Sequence, residues 1–217
     1  YCRNRGVLTA KNEIILFGED DVFLDPYYVH DCTKYLSFDN VNIVCGQIYF
    51  LNVGEYYLDA HVRIKESKAK RKLFSFYRHH GVITDVRPAY KLNFIPYTHA
   101  IFITHRTLLL KHPFNESFAT NGGFREESSA QLKIFTGEQT YALMQNESSC
   151  WHVARQEVRS GGQRTNRIKR WVNAVINTTI FLKDFRYSKL RYTICVISYF
   201  CFSVYAYFFR PLKNLLK

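Results

Sequence analysis

Metal-binding cysteine spacing is missing from this sequence: the six cysteines, Cys2, Cys32, Cys45, Cys150, Cys195 and Cys201, are scattered with no C-x-x-C pair. That excludes a zinc ribbon or finger, and in a core-rich chain of 217 residues it argues for free, buried thiols rather than a disulfide framework. No helix-turn-helix or RNA-binding signature is present either. Charged residues are only 22% of the chain and aromatics 17%, which excludes a disordered polyelectrolyte and points to a globular or membrane-proximal protein. Acidic residues are outnumbered, 18 against 30 Lys and Arg, for a formal charge of +12. Residues 63–78 hold seven of the bases and one Glu, and residues 155–170 hold six and one Glu. Such clusters suit nucleic acid, phosphorylated substrates or an anionic membrane face. The chain starts at Tyr1 in what reads as the middle of an element, so we expect sequence to precede it.

The organising stretch is EIILFGEDDVFLDP, residues 13–26. Ile14 to Phe17 reads as a buried strand that runs into three carboxylates, Glu19, Asp20 and Asp21. Asp25 and Pro26 supply an N-cap and a first-turn proline for a helix to about Leu36, which puts the acids in a strand-to-helix connection, where open α/β sheets bind ligands. Asn42 to Leu51 reads as a second buried strand, with Gly46 marking a bend or a close approach to a ligand. Residues 52–96 lose the pattern and read as an irregular lid or binding loop. Thr98 to Thr104 is a third strand, and a short helix begins at Arg106.

Asn121, Gly122 and Gly123 then form a loop before a helix that starts at Glu126 and Glu127, where the macrodipole favours carboxylates. Ala130, Leu132, Ile134 and Phe135 give this helix its apolar side, and Gly137 reads as its C-cap. Thr140 to Met144 and Ser149 to Val153 read as two short strands, the second carrying His152. From Gln163 to Phe185, the residues Ile168, Trp171, Val172, Val175 and Ile176 fall at helical spacing, which predicts an amphipathic helix with a polar outer face. The uncharged run from Tyr192 to Phe209, flanked by Lys189, Arg191, Arg210 and Lys213, predicts a membrane-inserted or interfacial helix, the alternative being a helix packed on the catalytic domain. We therefore expect a domain over residues 1–160 and a C-terminal helical segment over residues 161–217.

Four blocks in this order resemble glycosyltransferase family 2. CRNRGVLTAKNEIILF is similar to the segment before the family's central strand, and EDDVFLDP to its acidic D-x-D metal motif. NESFATNGGFREESSAQLKI resembles the Gly-rich loop and acidic pair, and CWHVARQEVRSGGQR the strand with a histidine and the Gly-Gly segment after it. The resemblance covers roughly residues 1–185 and implies a GT-A, Rossmann-like α/β fold with a mixed sheet flanked by helices. It implies Mg²⁺ or Mn²⁺ at Asp21, with Glu19 reaching the metal or the nucleotide ribose and His152 as a third ligand or a diphosphate contact; Arg3, Asn4 and Asp20 lie near the nucleotide sugar and Arg106 near the donor or acceptor. Glu127 takes the place of the catalytic base, with Glu126 as the alternative. Three features depart from the family: Glu19 replaces the first aspartate, Ser129 replaces a further acid, and the first strand with its nucleobase-reading acid is lacking.

The chemistry agrees with these roles. Hard carboxylate oxygens hold a cation that neutralises a departing diphosphate, and an opposed carboxylate takes the proton of the attacking hydroxyl. The expectation is an inverting, divalent-metal-dependent glycosyltransferase at the cytoplasmic face of a membrane. Its donor would be a nucleotide sugar and its acceptor a lipid-linked, polysaccharide or glycan molecule, with no nucleic acid. Two other readings stay open. One is a metal-dependent phosphoryl transferase or nuclease with two metals on Glu19, Asp20, Asp21, Glu126 and Glu127. The other is a non-catalytic binding module on the same fold.

Overall fold

A computed structural model describes residues 2–57, 92–121, 123–154, 167–185 and 187–209. The basic stretch 63–78, most of the stretch 155–170 with its Gly161 and Gly162, and Gly122 lie outside the described residues. The elements in order are α1 (Cys2–Thr9), β1 (Ile14–Phe17), β2 (Val22–Leu24), α2 (Tyr28–Tyr35), β3 (Val41–Phe50), β4 (Asn93–Ile95) and β5 (Phe102–His105). There follow α3 (Arg106–Lys111), a 3-10 helix (Glu116–Asn121), α4 (Glu126–Glu138), β6 (Tyr141–His152), α5 (Arg167–Asp184), α6 (Lys189–Val204) and a π-helical turn (Tyr205–Phe209).

The architecture is mixed α/β. Six strands form one sheet in the order β1-β5-β3-β6-β2, with β4 also on β6. The central pair β3 and β6 is parallel and every other pairing is antiparallel. Side chains leave alternate faces of a strand, so β3 feeds two cores. Ile43 and Cys45 pack with Val7, Leu109, Phe114, Ala130 and Ile134 under α1, α3 and α4, whereas Val44 and Ile48 pack with Tyr28, Cys32 and Leu36 under α2. A third cluster of Tyr97, Phe118, Leu132 and Phe181 ties α5 to α4 and the 3-10 helix. All six cysteines are free thiols, four of them buried.

Several elements differ from their sequence signals, each for a local reason. β1 is an edge strand: Ile14 and Leu16 are exposed, while Ile15 and Phe17 face the core, where Phe17 stacks on Phe102 with ring centroids 5.2 Å apart. The three acids lie in a turn between β1 and β2, not in a strand-to-helix connection. Only three residues make β2, too few for a periodic signal, but they pair with Cys150 to His152. Asp25 does cap locally, its Oδ1 accepting the Tyr27 N–H at 3.0 Å, although α2 starts only at Tyr28. The third strand is confined to Phe102–His105.

The two short strands expected over 140–153 are one strand, β6. Gln145 carries it through a register shift opposite Gly46: its Oε1 accepts the N–H groups of Glu147 and Ser148, and its Nε2 donates to Ser148 Oγ at 2.6 Å. Gly46 is required by close packing within the protein and not by a ligand. A Cβ there would lie 2.5 Å from Tyr28 Cε2 and 2.6 Å from the Ser148 carbonyl. The Tyr28 hydroxyl accepts the Gly46 N–H and donates to the Ile101 carbonyl. Gly137 is inside α4, pressed against the His112 ring; the helix ends instead at Gln139, whose φ of 56° supplies the left-handed cap.

The C-terminal helices leave apolar surface outside. On α5, Trp171 and Val175 are half-buried, but Ile168, Val172 and Ile176 are exposed, so the expected polar outer face is not there. The segment 192–209 is helical, as α6 and the π turn. Cys195, Tyr199 and Ser203 form the buried side of α6, whereas Leu190, Ile194, Ile197 and Cys201, at spacings of three and four, form an exposed stripe on the opposite side. Among the described residues, no helix is long and apolar enough to cross a membrane.

Candidate active site

The antiparallel pairing of β2 with the end of β6 sets Val22 opposite His152, and the Val153 N–H donates to the Asp21 carbonyl at 2.9 Å. This brings the imidazole beside the acidic turn. His152 Nε2 lies 3.2 Å from Glu19 Oε2 and 3.5 Å from Asp21 Oδ1. Its Nδ1 faces the Val153 carbonyl at 3.3 Å, and its ring stacks on Phe50, its register partner on β3, at 5.4 Å. The hydrogen bond to Glu19 raises the His152 pKa, opposed by partial burial, and the same bond holds the Glu19 carboxyl below its usual range.

One ligand atom from each of Glu19, Asp21 and His152 falls within 4.8 Å of the others. Two carboxylate oxygens and one imidazole nitrogen can hold a divalent cation; the nitrogen favours Mn²⁺ over Mg²⁺, which prefers oxygen alone. With Nδ1–H directed at the Val153 carbonyl, the Nε2 lone pair is free for a metal once the proton shared with Glu19 leaves.

The second group is built on the N-terminus of α4. Arg3, from α1, binds both glutamates: Nη1 lies 2.5 Å from Glu126 Oε2, and Nη2 pairs with Glu127 Oε1. Burial raises the Glu127 pKa, and the Arg3 guanidinium opposes that. Ser129 Oγ donates to Asp184 Oδ2, joining α4 to the end of α5. Ser129 thus serves packing between helices.

Both groups open on one cavity of about 570 Å³, whose lining includes Glu19, His152 and Phe50 from the first and Arg3, Glu127 and the neighbouring Phe124, Arg125 and Ser128 from the second. Asp21 is behind the lining, against His152. Glu126, buried against Arg3, does not line the cavity, and three further expected residues are elsewhere. Asn4 bonds the backbone of Phe114 through both its side-chain atoms, with Oδ1 accepting at 2.9 Å and Nδ2 donating at 3.0 Å. Arg106 donates from Nε to the Val7 carbonyl and from Nη2 to that of Leu8, which caps the C-terminal end of α1. Asp20 is exposed in the turn. Neither Asn4 nor Arg106 lines the cavity.

His99 is a site residue that sequence reasoning missed, because it sits in the apolar run THAIFIT and reads as part of a strand. It lines the cavity wall, donating from Nε2 to the Gly46 carbonyl and accepting the Ile101 N–H on Nδ1, each at 3.1 Å. Burial pushes its pKa down to about 4, so both bonds fix one neutral tautomer. Phe50 and Phe124 were missed for a similar reason: an aromatic beside a strand end or a glycine loop gives no signal of its own.

No protein-family model matches the chain, and a search of curated proteins finds no match.

Proposed function

We propose that the protein is an inverting glycosyltransferase that moves a sugar from a nucleotide diphosphate sugar to a glycan, polysaccharide or lipid-linked acceptor. The observation that carries this reading is the meeting, on one cavity, of the Glu19 and His152 pair with the partly buried carboxylate of Glu127. Glu19, Asp21 and His152 would hold Mn²⁺ or Mg²⁺, which when bound neutralises the charge that develops on a leaving diphosphate. Glu127 is suited to accept the proton of the attacking hydroxyl, since burial raises its basicity toward the working pH. Direct displacement needs this one base and no covalent intermediate. Arg3 holds the carboxylate in place and offers positive charge to the same cavity.

The two-metal phosphoryl-transferase reading has less support, because it needs Glu126 and Glu127 as ligands and Arg3 is bound to both. For location, the exposed stripe Leu190, Ile194, Ile197 and Cys201, beside Lys189 and Arg191, favours an α6 that lies in the surface of an anionic bilayer, on its cytoplasmic face.

The test is turnover of a panel of nucleotide sugars with Mn²⁺, with and without acceptor, read as release of nucleoside diphosphate. Transfer or hydrolysis of one donor is expected. Donor binding with no turnover would instead identify a non-catalytic binding module, and metal-dependent cleavage of nucleic acid would revive the phosphoryl-transferase reading. Cosedimentation with phosphatidylserine vesicles, lost in Ile194→Glu with Ile197→Glu, tests the location.

A further inference from the structure

We propose that Phe124 is the platform on which the acceptor's sugar ring lies, a role that rests on the glycosyltransferase reading and specifies its acceptor side. The backbone around Phe124 is shaped to present it. Gly123 has φ 73° and Arg125 has φ 74°, so two left-handed residues flank the ring. Glycine adopts that conformation freely, but for arginine it costs about 1–2 kcal/mol. The cost is met by what the turn does with the Arg125 side chain: its guanidinium sits over the Phe124 ring at 5.3 Å and over the Phe181 ring at 4.7 Å, and Nη1 donates to the Tyr97 hydroxyl at 3.2 Å. Arg125 thus braces Phe124 from beneath on a fixed core residue.

The ring remains 45% exposed and lines the cavity. A braced aromatic face, left wet at a cavity wall, fits a ligand that is flat on one side and polar at its edge. A pyranose is such a ligand: its axial C–H bonds meet the negative face of the ring, while its hydroxyls project outward to polar groups. Phe124 lies three residues before Glu127 and lines the same cavity. A ring stacked there belongs to the molecule whose hydroxyl gives up its proton to Glu127, which is the acceptor.

The experiment compares Phe124→Ala and Phe124→Trp with the wild type in steady-state transfer. The expected result is a rise of about tenfold in the KM for acceptor in Phe124→Ala, the scale of one ring contact, with the donor KM little changed and the acceptor KM recovered in Phe124→Trp. An unchanged acceptor KM, or a rise confined to the donor KM, overturns the proposal. Saturation-transfer NMR with gluco-, chito- and manno-oligosaccharides reads the platform without turnover. Transfer to the C–H protons of one ring face is expected in the wild type and lost in Phe124→Ala. No transfer from any glycan to the wild type rejects the platform; glycan contact without donor turnover keeps it and rejects the catalytic reading instead.

Discussion

Two groups on the cavity carry similar residues with different burial and different counter-charges. At the acidic turn, two carboxylates face one imidazole, and all three are partly open to water, with side-chain exposures of 35% for Glu19, 21% for Asp21 and 22% for His152. At the start of α4, two carboxylates share one guanidinium, and they are deeper, with exposures of 8% for Glu126 and 14% for Glu127. At the acidic turn the counter-charge is an imidazole that can lose its proton, and solvent has access, conditions that suit uptake of a cation. The start of α4 has its counterion built in and a desolvated carboxylate, the conditions for holding and moving a proton. Carboxylate count alone does not separate these tasks; burial and the identity of the counter-charge do.

The largest expected effect is on turnover at the start of α4. Glu127→Gln keeps the shape and hydrogen-bonding reach but removes the basic oxygen, and should lower kcat by about a hundredfold or more without a matching change in donor affinity. Equal rates in the variant and wild type would remove Glu127 from the chemistry. Next is stability. Arg3→Met leaves the buried Glu126 and the partly buried Glu127 without their counter-charge and should cost about 2 kcal/mol or more, allowing for the partial exposure of Arg3. His152→Ala at the acidic turn should cost under about 1 kcal/mol, as solvent-exposed ion pairs do. Denaturant melts of the pair of variants would refute the contrast if their order were reversed.

The cavity wall adds a pH dependence of stability, an effect felt only in acid. The His99 pKa is about 4 when folded against an ordinary 6.5, so the unfolded chain binds the proton first as pH falls. The stability this residue contributes is complete above pH 6.5 and is lost progressively as pH falls to about 4, by up to about 3 kcal/mol. His99→Gln should flatten that part of the stability profile; an unaltered slope would show that His99 is not the group responsible.

Much of this contrast was legible in the chain. Glu19 to Asp21 stood out at the end of an apolar run, and Glu126 and Glu127 stood out after a glycine loop, because turn and cap signals are local. The strands Ile14–Phe17 and Val41–Phe50 and the helix from Glu126 were readable on the same grounds. What brings the groups together is not local. The pairing of Arg3 with glutamates more than 120 residues away depends on α1 packing beside α3 under the sheet. β2 and β4 have three residues each, too short for any period, and their partner strand defines them. The break in β6 looked like a strand end because Asn146, Glu147 and Ser148 are polar, and only the Gln145 side chain shows why the strand continues.

The most direct measurement is calorimetric titration of Mn²⁺ into wild type, Asp21→Ala and Glu127→Gln, each checked for folding by circular dichroism. The account predicts one Mn²⁺ per chain for wild type and Glu127→Gln, with binding weakened at least about tenfold in Asp21→Ala. Absence of Mn²⁺ binding to the wild type, or equal loss in both variants, would contradict the assignment of the metal to the acidic turn and of the base to Glu127.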